Sequence, residues 1–264
     1  MYLDFYQLKK KPFNLIPDPK FLFLSEGHRE ALNHLLYGIE QREWFITITG
    51  DIGTGKTTIC HELLEKLTDE NKTIMLLNPY QCNRLFSNQT MFSPEESKSK
   101  AFIAFNGFLL NQLQQGRRVI LVIDEAQHLS PSLLEQIRIF SNLGTKRGKL
   151  SQIILVGQLE LMQKLKSSEL RALNQRISVR YKLNPLNKKE TEDYIAYRLM
   201  VAGANDNIVF TPCAFKSIYK YSKGIPRVIN LLCDRTLLSG FINRTGCLDK
   251  KIVKQGLKSL EGTG

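Results

Sequence analysis

Apolar residues in the first two thirds of the chain occur in short runs separated by segments with helical spacing. We predict five strands, at Trp44–Thr49, Thr73–Asn78, Val119–Ile123, Gln152–Gly157 and Ser178–Leu183. The first four runs are almost continuously apolar and rich in β-branched residues, which is typical of strands buried on both faces. The last run alternates apolar and polar residues, as a strand with one wet face does. The pattern predicts a parallel α/β sheet flanked by helices.

The segments before and between these strands have apolar residues at helical spacing and carry helix-capping residues. We predict helices at Ser25–Glu40, Thr57–Leu67, Phe102–Leu113, Ser130–Ser141 and Leu159–Leu173. The stretch Gln81–Lys100 is polar and irregular and is interpreted mainly as loop. Residues 1–30 carry aromatic residues between prolines, which predicts an ordered arm packed on a domain rather than a disordered tail.

The pattern changes at Asn184-Pro185, after which no strand signal recurs. Asn187 with Glu190 makes a capping box, and further helices are predicted to start after Thr211, at Pro226 and after Asp249. We therefore predict two domains. Residues 1–184 would form an α/β domain that includes the arm, and residues 185–264 would form a small helical domain.

Charge and composition are those of an ordinary globular protein with a basic balance. The net charge is +12, and residues 185–264 carry 13 Lys and Arg against 7 Asp and Glu. This permits an anionic partner such as nucleic acid, but the basic residues are scattered in pairs, as on a solvated surface. No apolar run reaches the 18 residues of a membrane span, so we expect a soluble chain. The five cysteines and four histidines show no metal-site spacing.

One motif predicts phosphate binding. The chain reads Gly50-Asp51-Ile52-Gly53-Thr54-Gly55-Lys56-Thr57-Thr58 between the first predicted strand and its helix. Glycines allow backbone N–H groups to surround phosphate oxygens, and the following helix adds a partial positive charge. Lys56 would reach the β- and γ-phosphates, and the Thr57 hydroxyl would hold Mg²⁺. The motif therefore predicts ATP or ADP binding with Mg²⁺.

Polar residues follow two of the buried strands. Asp124 and Glu125 come after Val119–Ile123, and Gln158 follows Gln152–Gly157. Carboxyl ends of parallel strands form the edge at which ligands bind in open α/β sheets. Asp124 would hold Mg²⁺ through water, and Glu125 would orient and deprotonate an attacking water. Gln158 would hydrogen-bond the γ-phosphate or that water, unless it is only a turn residue.

These motifs together resemble the AAA+ ATPases, and within them the ExeA/GspA-like ATPases of bacterial secretion and pilus systems. The matching text covers nearly the whole chain. It includes Pro12-Phe13, Pro17-Asp18-Pro19, Ile123-Asp124-Glu125-Ala126-Gln127, Gln152–Gln158 and Gly224-Ile225-Pro226-Arg227-Val228-Ile229-Asn230. One departure is Leu159, which stands where these proteins usually have proline.

The resemblance implies roles that spacing alone does not. Gln158 would be the polar sensor of the fourth strand, and Arg227 would be the lid arginine that contacts the γ-phosphate. Arg176 would be the arginine finger that reaches a neighbouring subunit's nucleotide, with Arg171 as the alternative. Such proteins act as homo-oligomers because the finger works in trans.

For this family the resemblance also implies a cellular role. It implies ATP-driven assembly of a secretion or pilus system with partners from that system. It places the ATPase in the cytoplasm, including the inner face of the inner membrane.

Three other functions stay open on the residues alone. The first is a DNA-binding AAA+ regulator of the TnsC/TniB transposition type, which the basic helical region favours. The second is a small-molecule kinase, which Glu125 and Arg227 disfavour. The third is a nucleotide-binding scaffold with little turnover, which the full set of catalytic residue types disfavours.

Overall fold

Five parallel strands form the central sheet of this computed structural model. The strands are β1 (Phe45–Gly50), β2 (Asn71–Leu76), β3 (Arg118–Ile123), β4 (Ser151–Gly157) and β5 (Ile177–Leu183). Their spatial order is β2-β3-β4-β1-β5, and every neighbouring pair is parallel. The structure describes residues 2–16, 18–67, 71–76, 107, 111–112, 114–115, 118–141, 144–145, 148–149, 151–205 and 207–262. The predicted five-stranded α/β fold is confirmed.

The chain divides into two compact units. The sheet unit comprises residues 28–50 and 56–183, and the helical unit comprises residues 1–27, 51–55 and 184–264.

Helices cover both faces of the sheet. They are α2 (Glu26–Glu40), α3 (Lys56–Lys66), α4 (Pro131–Ser141), α5 (Leu159–Leu165) and α6 (Arg171–Asn174). The short helix α1 (Tyr2–Phe5), which precedes them in the chain, belongs to the helical unit. Alternate strand residues point to opposite faces. Ile120 and Val122 therefore pack with apolar residues of α2 and α3, whereas Leu121 and Ile123 pack with those of α4 and α5. β1, β3 and β4 are buried on both faces, which explains why they read as continuous apolar runs.

The predicted helix Leu159–Leu173 is wrong as a single element. After α5 the backbone of Ser167 is extended, and a 3-10 turn at Ser168–Leu170 leads into α6. Leu165 and Leu170 are five residues apart, so a continuous helix would turn them to different sides. The interruption lets both side chains enter the same core.

Two other predicted segments lie mostly outside the described residues. They are the helix Phe102–Leu113 and the loop Gln81–Lys100. Two-residue strands Gly144–Thr145 and Gly148–Lys149 form an antiparallel pair that the sequence analysis did not predict.

The helical unit contains α7 (Lys188–Val201), α8 (Pro212–Ser222), α9 (Pro226–Ile242) and α10 (Lys250–Glu261). The predicted capping box is present, because Asn187 and Glu190 each accept the other's backbone N–H at 2.9 Å. The expectation that no strand follows residue 184 is wrong. Val209–Phe210 pairs in parallel with Cys247–Leu248, a ladder too short to produce an alternating pattern.

The arm packs in the helical unit, although the sequence analysis grouped it with the sheet. The hydroxyl of Tyr6 donates to the carbonyl oxygens of Leu237 and Thr245, at 3.2 and 3.1 Å. Aromatic residues of the arm, including Phe13 and Phe21, share one core with α7 to α10. The domain boundary near residue 184 stays a prediction. Within the described parts of the chain, no helix is long and apolar enough to cross a membrane.

Candidate functional site

The carboxyl ends of β1, β3 and β4 lie at one edge of the sheet because the three strands are parallel neighbours. Gly50 ends β1, Asp124 follows β3 and Gln158 follows β4. The first turn of α3 begins at Lys56, whose ammonium donates to the carbonyl oxygen of Gly50 at 2.8 Å. Side chains predicted from separate parts of the sequence therefore meet at this edge.

Thr57 and Asp124 form the contact at the centre of this edge. The Thr57 hydroxyl donates to Asp124 Oδ2 at 2.5 Å, and the other carboxylate oxygen accepts the backbone N–H of Glu125 at 2.8 Å. Asp124 is buried. A hydroxyl and a carboxylate oxygen side by side are hard oxygen ligands of the kind Mg²⁺ prefers. The two side chains predicted to hold Mg²⁺ are thus adjacent.

Cys60 lies one turn further along α3 and is fully buried. Burial raises the pKa of its thiol, and the charge of Asp124 raises it further. The thiol is therefore neutral and acts as a packing group under the site.

Glu125 adopts a left-handed backbone conformation with φ 54°. It precedes a 3-10 turn at Ala126–His128, and its side chain is 42% exposed. Its Oε2 accepts hydrogen bonds from the side-chain amides of Gln127 at 2.5 Å and Gln158 at 3.4 Å. The imidazole Nε2 of His128 lies 3.8 Å from the same oxygen. The carboxylate predicted as base is therefore held by amides from two strand ends.

The loop Asp51–Gly55 groups with the helical unit. Gly53 and Gly55 have φ values of 80° and 102°, which L-residues with side chains rarely adopt. The Thr54 hydroxyl donates to the carbonyl oxygen of Asp51 at 2.9 Å and closes the turn. The loop thus has the backbone conformations that the phosphate-loop motif predicts. Ile52 is exposed, as is Thr58 in the first turn of α3.

Arg227 is exposed at the start of α9, and its backbone N–H donates to the carbonyl oxygen of Gly53 at 3.3 Å. A Cβ at Gly53 would lie 2.6 Å from the Arg227 Cβ. Gly53 is therefore needed for close approach as well as for its φ angle. The backbone of Arg227, the arginine predicted to contact phosphate, is therefore hydrogen-bonded to the phosphate loop.

Arg176 and Arg171 occupy different environments. The Arg176 guanidinium lies 5.8 Å from the centre of the Trp44 ring, and its Nη1 is 3.5 Å from the Ser141 hydroxyl. Arg171 is exposed at the start of α6. Neither arginine belongs to the cluster around Glu125 as the described contacts define it.

No role for Gln127 or Lys164 is predicted from the sequence. Both contact the cluster around Glu125, since Gln127 donates to Glu125 and the Lys164 ammonium donates to the Gln127 carbonyl oxygen. Gln127 stands in the Asp-Glu-Ala-Gln segment that carried the resemblance, which was the available signal.

Comparisons with known proteins show which families and proteins the chain is similar to. A family model described as an AAA domain matches residues 39–165. General secretion pathway protein A of Aeromonas hydrophila is 42% identical over 247 residues, which is 91% of this chain and 45% of that protein. An uncharacterized HTH-type transcriptional regulator of Methanocaldococcus jannaschii is 29% identical over 158 residues, which is 58% of this chain and 38% of that protein. The chain thus spans less than half the length of either relative.

Among solved structures, the ORC2 protein of Aeropyrum pernix in ADPNP–ADP complexes has a TM-score of 0.68 at 13% identity. The match covers 97% of this chain and 72% of that chain. At this identity the likeness concerns the fold alone. Together the comparisons confirm the resemblance to AAA+ proteins of the GspA type.

Proposed function

We propose that the chain binds and hydrolyses ATP with Mg²⁺. Residues 39–165 belong to the AAA domain family, and the chain is a relative of general secretion pathway protein A. The observation that supports this most directly is the 2.5 Å contact between the Thr57 hydroxyl and Asp124. It joins the first turn of α3, at the end of the phosphate loop, to a buried carboxylate that follows β3. Structural packing alone does not require a hydroxyl and a buried carboxylate at this position.

In the proposed reaction the phosphate loop binds the β- and γ-phosphates through backbone N–H groups and Lys56. Thr57 and Asp124 would hold Mg²⁺, Asp124 through water. The ion, when bound, neutralises charge on the phosphate oxygens. The product ADP would remain on the same loop until it is released.

Glu125 is proposed to orient the attacking water and to accept its proton. Gln158 is proposed to contact the γ-phosphate or the same water through its side-chain amide. The 3.4 Å distance between Gln158 Nε2 and Glu125 Oε2 supports these roles, because both side chains would have to lie close to the attacking water and the γ-phosphate.

The resemblance supports two arginine roles and an oligomer. Arg227 is proposed to contact the γ-phosphate, and its exposed side chain at the start of α9 leaves it accessible for this. Arg176 is proposed as the finger that acts on a neighbouring subunit's nucleotide, with Arg171 as the alternative. Turnover per subunit would then rise with protein concentration.

We further propose that the ATPase drives assembly of a bacterial secretion or pilus system, with components of that system as partners. The support is the name and 42% identity of the Aeromonas hydrophila relative. The proposed location is the cytoplasm or the inner face of the inner membrane.

A pair of substitutions tests the ATPase proposal. Lys56→Ala should abolish binding of a fluorescent ATP analogue, whereas Glu125→Gln should keep binding and lower kcat by about 10²–10⁴-fold. Lys66→Ala and Glu160→Gln make the same chemical changes at exposed positions and should match the wild-type protein. Equal loss of binding in Lys56→Ala and Glu125→Gln would contradict the role of Glu125.

A DNA-binding regulator of the TnsC/TniB type is the second candidate function. Lysines at 250, 251, 254 and 258 are all exposed on α10, and helical spacing aligns three of them along one side. Binding to duplex DNA should weaken steeply with salt and should stimulate phosphate release. Phosphate release that is indifferent to DNA at low salt would exclude this candidate.

A further inference from the structure

Gln127 joins the ends of two neighbouring strands through its side-chain amide. Its Nε2 donates to Glu125 Oε2 at 2.5 Å, and its Oε1 accepts the backbone N–H of Gln158 at 3.0 Å. Gln127 itself is 8% exposed. A buried amide satisfied at both ends is therefore in contact with the predicted base.

The orientation of this amide is determined by the chemistry of its neighbours. A backbone N–H can only donate and an ionised carboxylate can only accept. Exchanging the oxygen and nitrogen of Gln127 would place NH₂ against the Gln158 N–H and a carbonyl oxygen against Glu125. Both new contacts would be repulsive, so Gln127 must present its NH₂ group to the carboxylate.

The segment that carries Gln127 is itself held in place. The ammonium of Lys164 on α5 donates to the carbonyl oxygens of Gln127 and Leu129, the second at 2.7 Å. Gly157 has no side chain, and a Cβ there would lie 2.8 Å from Gln127 Oε1. The close approach of the amide to the end of β4 therefore depends on glycine at this position.

Among the described residues, few others contact the Glu125 carboxylate. Its side chain is 42% exposed, and the hydrogen bond from Gln158 Nε2 is 3.4 Å long. The imidazole Nε2 of His128 lies 3.8 Å from Glu125 Oε2, and the His128 side chain is 61% exposed. The hydrogen bond from Gln127 is thus the shortest of the described contacts to this carboxylate.

We propose that Gln127 is a positioning residue that orients the Glu125 carboxylate toward the attacking water. Gln127 also couples that carboxylate to the strand end that bears Gln158. The inference rests on the proposed function, in which Glu125 accepts the proton of water. A carboxylate free to rotate would spend less time in the reactive orientation, and misplacement by about 1 Å can lower a rate about 10²-fold.

Two substitutions of nearly equal size separate positioning from structural support. Gln127→Glu keeps an acceptor for the Gln158 N–H, but it replaces the NH₂ donor to Glu125 with a carboxylate oxygen and places a second negative charge beside Glu125. Gln127→Met removes both hydrogen bonds without adding charge. Gln163→Glu and Gln163→Met, at an exposed position on α5, are the matched controls. For each variant, kcat for phosphate release, Kd for a fluorescent ATP analogue and Tm would be measured.

We expect both Gln127 variants to lower kcat by about 10–100-fold, with Kd within about twofold of wild type. Both Gln163 variants should match wild type. If Gln127 only supported the strand end, Gln127→Glu would retain wild-type kcat and only Gln127→Met would lose it, which would overturn the inference. If Gln127→Glu does not fold, wild-type kcat in Gln127→Met would overturn it equally.

The proposed function can fail separately. A wild-type protein without turnover would refute the ATPase assignment, and Glu125→Gln with wild-type turnover would refute the role of Glu125. Either result would refute this inference as well. If the wild-type protein turns over ATP, Glu125→Gln loses turnover, and both Gln127 variants keep wild-type kcat, only the role of Gln127 is refuted.

Discussion

Arg198 on α7 is expected to be the main polar attachment of the arm in the helical unit. It is 7% exposed, and its Nε and Nη2 donate to the carbonyl oxygens of Pro12 at 2.5 Å and Asn14 at 3.2 Å. Its Nη1 donates to the Tyr194 hydroxyl at 2.8 Å, and the guanidinium lies 5.1 Å from the Phe21 ring centre. Arg198→Met removes these hydrogen bonds and keeps an apolar side chain of similar length.

The magnitude follows from the acceptors left behind. An unsatisfied buried carbonyl costs about 1–3 kcal/mol, which applies fully to Pro12 and only partly to Asn14, because water reaches Asn14. The lost contact with Phe21 adds about 0.5–2 kcal/mol. Burial of the guanidinium also carries a desolvation cost, which the substitution removes. We expect a net loss of about 2–4 kcal/mol and a fall in Tm of about 4–16 °C.

Thermal and urea unfolding would measure this loss, with Arg29→Met at an exposed position of α2 as the matched control. Limited proteolysis should also cleave the arm of Arg198→Met faster, because local opening exposes the arm to protease. Equal Tm values and equal cleavage rates for Arg198→Met and Arg29→Met would refute the reasoning. That result would mean that the aromatic packing and the hydrogen bonds of Tyr6 hold the arm without Arg198.

Three further predictions concern single positions. Gly224→Ala should cost more than about 2 kcal/mol in urea unfolding, because φ is +78° and a Cβ would lie 1.8 Å from a backbone carbonyl oxygen; Gly262→Ala, with φ +68° and open space, should cost clearly less. Burial raises the pKa of Tyr6 to about 12 in the folded chain, against about 10 in the unfolded chain. The neutral Tyr6 hydroxyl therefore contributes its full stability below about pH 10, and this contribution is lost as the pH rises toward about 12. Tm measured at about pH 9 and pH 11 should fall less in Tyr6→Phe, and an equal fall would contradict this. Arg176→Ala should lower turnover without changing nucleotide Kd, and loss in Arg171→Ala alone would transfer the finger role to Arg171.

Local chemistry explains why much of the site could be predicted. The phosphate loop is contiguous, so its glycines and Lys56 are recognisable without any tertiary contact. Asp124 and Gln158 follow continuous apolar runs, and the parallel arrangement of those runs brings their ends to one edge. The capping box at Asn187 and Glu190 was predictable for the same reason, because its two partners are three residues apart.

Long-range partners were not predictable in this way. Gln127 and Gln158 are 31 residues apart, and nothing in the polarity of Gln127 distinguishes a positioning amide from a surface one. The arm was assigned to the sheet domain because its aromatic residues predict packing but not a packing partner. Its partner Arg198 lies 186 residues from Pro12 in the chain.

Hydrophobic periodicity and turn chemistry act over a few residues, so the α/β class could be predicted and the phosphate loop proposed from the sequence. The spatial order of the strands, the break after Leu165 and the contacts of the Glu125 carboxylate are seen only in the folded chain. Those features depend on which distant side chains compete for the same core volume or the same hydrogen bond. That competition is resolved only when the whole unit packs.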